Sequence, residues 1–245
     1  MKMDKVAGSK NDEFYTPLYA IKPIVKYLKE GATVWCPFDT EDSLYVKYLS
    51  HCGFNVIYTH IVNGQDFFNM EIPDCDYIIS NPPYSLKGEV LHRLFELNKP
   101  FAMLLGVVGI FESQFRFNMF RDNKFEVMYF DKRVSYFKDY SEQKPALNPP
   151  FSSAYFCSNI LPQQIMFEAI LTDDVDLSGF NWNPLGKSAK MYMGIFDGQG
   201  YTIKNLTLPH ENGNEEDLTE RTTWYVGPGL FGRLDYSFII KNVAL

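Results

Sequence analysis

Along the first two-thirds of the chain, short apolar runs alternate with segments in which apolar residues recur every three or four positions. Ile21, Ile24, Val25 and Leu28 share one face of a helix predicted over Leu18–Lys29. Thr33–Cys36 reads as a short strand, Ser43–Cys52 as a helix carrying Leu44, Tyr48 and Leu49, and Asn55–Thr59 as a second strand. Tyr77–Ile79, helix Gly88–Leu97 and the buried strand Phe101–Val107 continue the series. This is the βαβ rhythm of an α/β fold, a doubly wound sheet with helices on both faces. Such sheets bind ligands beyond the carboxyl ends of their strands.

After about Glu168 the pattern changes. Two similar phrases follow, GIFDGQGYTIKNLTL at Gly194–Leu208 and GLFGRLDYSFIIKNVAL at Gly229–Leu245, and between them His210–Arg221 is polar and acidic, as a loop should be. Repeated strand phrases separated by glycine turns predict stacked rungs, a short and incomplete β-solenoid-like segment. The domain boundary is therefore expected between residues 168 and 169.

Composition narrows the class. A chain of 245 residues, 46% hydrophobic and 16% aromatic, has ample material for a core. No apolar run reaches membrane-span length and the start, MKMDKVAGSKNDE, lacks a hydrophobic signal core, which predicts a cytoplasmic protein without a membrane partner. Cys36, Cys52, Cys75 and Cys157 are widely spaced with no C-x-x-C pair, so they are expected as buried thiols, and no metal is implied. The formal net charge of -7 excludes a broad basic surface but not a local positive cleft.

Chemistry enters at DYIISNPPY, Asp76–Tyr84. Two consecutive prolines cannot donate ladder hydrogen bonds, so the strand must stop at about Ser80. A stiff turn then holds Asn81, Pro82, Pro83 and Tyr84 in one arrangement at the end of a strand. The bare motif also fits an ordinary proline-rich loop. Its neighbours at the same edge are CPFDTEDS at Cys36–Ser43 and His60 with GQDFF at Gly64–Phe68; upstream lies NDEFYTP, Asn11–Pro17.

Taken together, these segments resemble the DNA adenine-N6 methyltransferases, most closely the short phage and prophage type with a D-E-F/W-Y-T-P start, over roughly residues 11–160. The resemblance implies a Rossmann-like methyltransferase sheet in residues 1–168, S-adenosyl-L-methionine as cofactor, and double-stranded DNA as partner with the target adenine flipped out. It assigns catalysis to Asn81–Tyr84: the Asn81 side-chain oxygen and the Pro82 carbonyl would accept the two N–H bonds of the target amine and aim its lone pair at the methyl donor, with Tyr84 stacked on the base. Tyr15 and Thr16 would pack on the cofactor, and Pro37, Phe38 and Asp39 would face its methionine part. Asp66 would accept from the cofactor's adenine amino group, with Phe67 against that ring.

Two departures from the family pattern stand out. The loop after the first strand has no G-x-G, and its acids Asp39–Asp42 equally fit a helix N-terminus. Where an acid usually grips the ribose, the chain has Thr59-His60; His60 either bonds the ribose or is a structural histidine. Asp66 has a loop-acid alternative as well. A second Asn-Pro-Pro, Asn148–Pro150, leads into a strand instead of out of one, which predicts an edge strand and no catalysis. Phe111–Tyr140 interleaves aromatics with Arg116, Arg121, Lys124, Lys132, Arg133 and Lys138, suiting either a DNA path or an amphipathic cover on the sheet.

Other functional readings follow from the same residues. Methyltransferases acting on a glutamine amide share the tetrapeptide, leaving another amide or an RNA nitrogen as an alternative substrate. The tail phrases resemble glycine-rich repeats of bacterial adhesin β-helices, which gives a further alternative: an inactive methyltransferase fold fused to an adhesin-like binding segment.

Overall fold

In the computed structural model the described residues are 14–138, 140, 144, 151–171, 173–180, 195–206, 230–231, 239–241 and 244. The chain separates into two compact units, Met1–Phe167 and Glu168–Leu245.

The first unit is built on a mixed sheet. Four parallel strands, β1 (Thr33–Cys36), β2 (Asn55–Tyr58), β3 (Tyr77–Ser80) and β4 (Phe101–Gly106), lie in the order β2-β1-β3-β4. After β1 the chain builds outward to β2 and then returns to lay β3 on the other flank of β1. The switch point of the topology is thus between β1 and β3, where a doubly wound sheet opens its ligand crevice. Strand β5 (Glu126–Phe130) and strand β6 (Ser153–Ser158) extend the sheet, β6 running antiparallel between β4 and β5. Every residue of β4 and β6 is buried, as expected for central strands covered on both faces. The sequence expectation of an edge strand here is corrected: β6 is interior, because the Asn-Pro-Pro precedes it and leaves every N–H of SAYFCS free for the ladder. Asn148–Pro150 themselves lie outside the described residues.

Local chemistry explains where the helices begin and end. Helix α1 covers Leu18–Val25 and not the expected Leu18–Lys29: it accommodates Pro23 inside it, and after Val25 the chain tightens into shorter turns, Tyr27 N to Ile24 O and Leu28 N to Val25 O. Helix α2 (Leu44–His51) starts at Ser43, whose hydroxyl accepts from the Tyr45 amide at 3.1 Å. Helix α3 (Lys87–Leu97) ends on Asn98 in the left-handed region, and α4 (Gln114–Asp122) is capped by Ser113. Of the four cysteines, Cys36, Cys75 and Cys157 are buried, but Cys52 is exposed where it closes α2.

Strand β7 (Ile165–Ile170) runs across the unit boundary. In the second unit its end pairs in parallel with β9 (Ile195–Asp197), which pairs in parallel with β11 (Ile239–Lys241). β8 (Val175–Asp176) and β10 (Ile203–Lys204) form a second parallel pair. Glu168, Ile195 and Ile239 share one register, so three passes of chain stack where the phrases predicted two. The first pass carries neither phrase, which is why periodicity missed it. Leu177, Phe196, Ile203 and Leu230 form the small core between the passes.

Candidate active site at the carboxyl ends of β1 and β3

Two loops meet at the switch point. β3 delivers Ser80, fully buried, and the Pro82-Pro83 pair ends the strand there. The Ser80 hydroxyl donates to Asp39 Oδ2 at 2.5 Å, and the Ser43 hydroxyl donates to Asp39 Oδ1. Asp39 therefore ties the loop after β1 to the cap of α2 and to the last residue of β3. It is 6% exposed, and burial pushes its carboxyl up to about 6 against the pull of the two hydroxyl bonds. Around it stand the thiol of Cys36 and the phenols of Tyr45, Tyr140 and Tyr155, all pushed up chiefly by burial and so neutral. Among the described residues no basic side chain bonds this carboxylate.

Asn81 follows directly. Its Nδ2 donates to the Phe14 carbonyl at 2.7 Å, while its Oδ1 is buried with no hydrogen-bond partner. A buried acceptor left unpaired costs about 1–3 kcal/mol, so this oxygen is one that a ligand donor would satisfy. Tyr84 is 5% exposed; its hydroxyl shares a 2.5 Å hydrogen bond with that of Tyr136 and lies 3.5 Å from Ser153 Oγ. Its ring is stacked on Phe14, with centroids 5.5 Å apart and planes 23° apart. One face of the Tyr84 ring is thus covered by Phe14. Gly106 makes the packing beneath possible, since a Cβ there would come within 3.0 Å of the Phe151 ring.

The upstream segment joins both loops. Tyr15 pairs with Phe137 through two backbone hydrogen bonds, and its ring lies 4.3 Å from that of Tyr140, whose hydroxyl reaches Ser43 at 3.4 Å. Thr16 is 1% exposed and its hydroxyl has no partner. Pro37 is buried, whereas Phe38 is half-buried and rests on Phe67 at 4.8 Å. Phe67 itself is interior, packed between Trp35, Phe38 and the Arg93 guanidinium. The ring available at the surface of this cluster is Phe38, not Phe67. Phe67 is turned inward by the loop around it: Asp66 Oδ1 accepts from Phe68 N at 3.0 Å, Oδ2 bonds Asn69 Nδ2, and Arg93 donates to the carbonyls of Phe68 and Met70.

His60 caps a short 3-10 turn, its Nδ1 accepting from Val62 N at 3.2 Å. No described contact joins His60 or Asp66 to Asp39 or Asn81. In the aromatic and basic stretch, Arg116 donates to the carbonyls of Gly109 and Ile110, and Arg121 pairs with Asp122, so two of the six cations serve local structure. Phe115 and Phe117 are exposed.

Sequence reasoning missed Ser43, Ser80, Phe14 and Tyr136. The first two carried signals, a helix cap and the position before Asn81. Phe14 stood inside a quoted motif without a role. Among the described residues no group of three or more His, Cys, Asp or Glu could hold a metal, and no helix is long and apolar enough to cross a membrane.

No protein-family model matches the chain, and no curated protein matches it. Among solved structures it is similar to "a modification subunit of a putative type I restriction enzyme from Vibrio vulnificus YJ016", with 13% identity and a TM-score of 0.40 over 69% of this chain and 49% of that one. The chain thus spans about half the length of that protein. A likeness this distant says nothing of substrate.

Proposed function

We propose that the chain transfers a methyl group from S-adenosyl-L-methionine to the N6 amino group of adenine in double-stranded DNA, acting on a base flipped out of the helix. The observation that carries the reading is Asn81 Oδ1, a buried and unpaired acceptor fixed at the carboxyl end of β3 beside two prolines. An exocyclic amine is a poor nucleophile because its lone pair is delocalised into the ring. Accepting its N–H bonds at Asn81 Oδ1 and the Pro82 carbonyl draws the nitrogen toward tetrahedral geometry, which localises the lone pair on it and aims it at the methyl donor.

The residues present fit the cofactor. Thr16 offers a buried hydroxyl without a partner, and Asp39 offers a buried carboxylate with no cation against it, suited to a positively charged ligand. Thr16, Phe38, Asp39 and Asp66 would hold the donor, which when bound supplies a methyl group on a cationic sulfur. Acting on DNA places the protein in the cytoplasm.

Expression in a bacterium lacking adenine methylation, followed by mapping of methylated adenines across its DNA, tests the reading and names the target sequence. Methylated adenines are expected with the native chain and none with Asn81→Ala. DNA left unmethylated by a folded, cofactor-binding native chain would refute the assignment.

A further inference from the structure

We infer that Phe14 closes the target-base pocket while no DNA is bound: its ring holds the place of the base on Tyr84 and its carbonyl sets the amide of Asn81. The inference rests on the function proposed above and names a positioning residue for it.

Three observations converge. First, the amide of Asn81 has its orientation fixed, because reversing it would bring its oxygen against the Phe14 carbonyl in place of the 2.7 Å hydrogen bond from Nδ2. The end left over for a substrate is then Oδ1, the acceptor that the target amine needs. Second, Oδ1 is shielded from solvent and has no partner, so a base cannot reach it until something moves. Third, the Phe14 ring lies nearly parallel on Tyr84 and touches the rings of Tyr136 and Phe151 at 5.4 and 6.5 Å. That is the contact a flipped adenine would make.

Of the two stacked rings, Phe14 is the one able to yield. Tyr84 is buried and anchored through its hydroxyl to Tyr136, whereas Phe14 is half-buried and has no polar anchor in its side chain. Rotating the Phe14 side chain removes the ring and leaves its carbonyl on Asn81. The two roles are therefore separable: an arriving base displaces the ring while the amide stays aimed. Base–aromatic stacking then competes with ring–ring stacking, and the displaced ring is a penalty on DNA binding and not on methyl transfer.

The test compares the native chain with Phe14→Ala and Phe14→Leu, with tritiated methyl transfer to unmethylated bacterial genomic DNA as the reaction. Phe14→Ala is expected to lower KM for DNA by about five- to tenfold, with kcat within about twofold and the affinity for S-adenosyl-L-methionine, measured by calorimetry, unchanged. A rise in KM would mean that Phe14 is the platform on which the base stacks, and a fall in kcat at constant KM would make it part of the reacting site; either overturns the inference. Phe14→Leu keeps an apolar cover without the flat ring and decides the matter if Phe14→Ala fails to fold. Should the native chain methylate no DNA, the proposed function fails separately. Binding of free 9-ethyladenine, read by NMR, still tests the closed pocket: tighter binding to the variants supports it and equal binding overturns it.

Discussion

The two units of this chain differ in how far their described polar groups are carried into the interior. In the second unit several exposed polar residues pair with one another: Lys204 with Asp174, Asn205 Nδ2 donating to Asp176, and Asp176 also accepting from Ser178 N, while Glu168 is buried. In the first unit polar groups are carried into the interior, and most are fully bonded there. Glu126, 2% exposed, accepts from the amides of Asn159, Ile160 and Leu161, which makes it the clamp of the turn after β6. At the switch point the accounting is incomplete. Thr16 and Asn81 keep unpaired buried oxygens, and Asp39 holds a carboxylate on two hydroxyls alone. A buried acceptor left short of partners is a candidate for a ligand contact, whereas Glu126 with all its partners acts as a structural joint.

The largest effect expected from this contrast is at Asn81. Asn81→Ala should reduce methyl transfer by at least about a hundredfold while leaving cofactor affinity within a few-fold, since it removes an acceptor for the target and not for the donor. Radiometric methyl transfer and calorimetry on the same preparation check it. Loss of cofactor binding with transfer intact would reverse the roles of the two loops.

Next come the two buried carboxylates, expected to respond with opposite signs. Glu126→Gln places an amide against three N–H donors and should destabilise the protein by about 2 kcal/mol at neutral pH. Asp39→Asn should stabilise it. The native Asp39 keeps its proton to about pH 6, whereas its ordinary value is 3.8, so the folded state binds more protons between those values and stability falls as pH rises through the window. Replacing it removes that fall, a gain of about 1–3 kcal/mol above pH 6 and none near pH 4, together with weaker cofactor binding. Urea unfolding from pH 4 to 8 measures both; parallel curves for the native chain and Asp39→Asn would show that its carboxyl is not perturbed.

The smallest effect should come from removing the second unit. A chain ending at Ile170 keeps all of β7 and every residue assigned to the site, and should melt within a few degrees of the full chain and methylate at a rate within about twofold. Ending after Glu168, the boundary suggested by the change of pattern along the chain, would cut β7 two residues short. An inactive chain ending at Ile170, measured by calorimetric melt and methyl transfer, would show that the second unit completes the first.

Much of this architecture could be read along the chain. Apolar runs and the prolines after Ser80 locate β1 to β4 to within a residue or two, because strand formation and its termination are governed by neighbours in sequence. What periodicity could not supply was which distant group each buried polar atom meets. Ser80 finds Asp39 across 41 positions, Asn81 finds Phe14 across 67, and Tyr84 finds Tyr136 across 52. The insertion of β6 between β4 and β5, the inward turn of Phe67 and the cover of Phe14 over Tyr84 belong to the same class. The alternation of residues fixes a segment's conformation and its apolar face. Which faces and which donors then come together depends on the packing of the whole unit, where a buried polar atom must find a partner wherever the fold provides one.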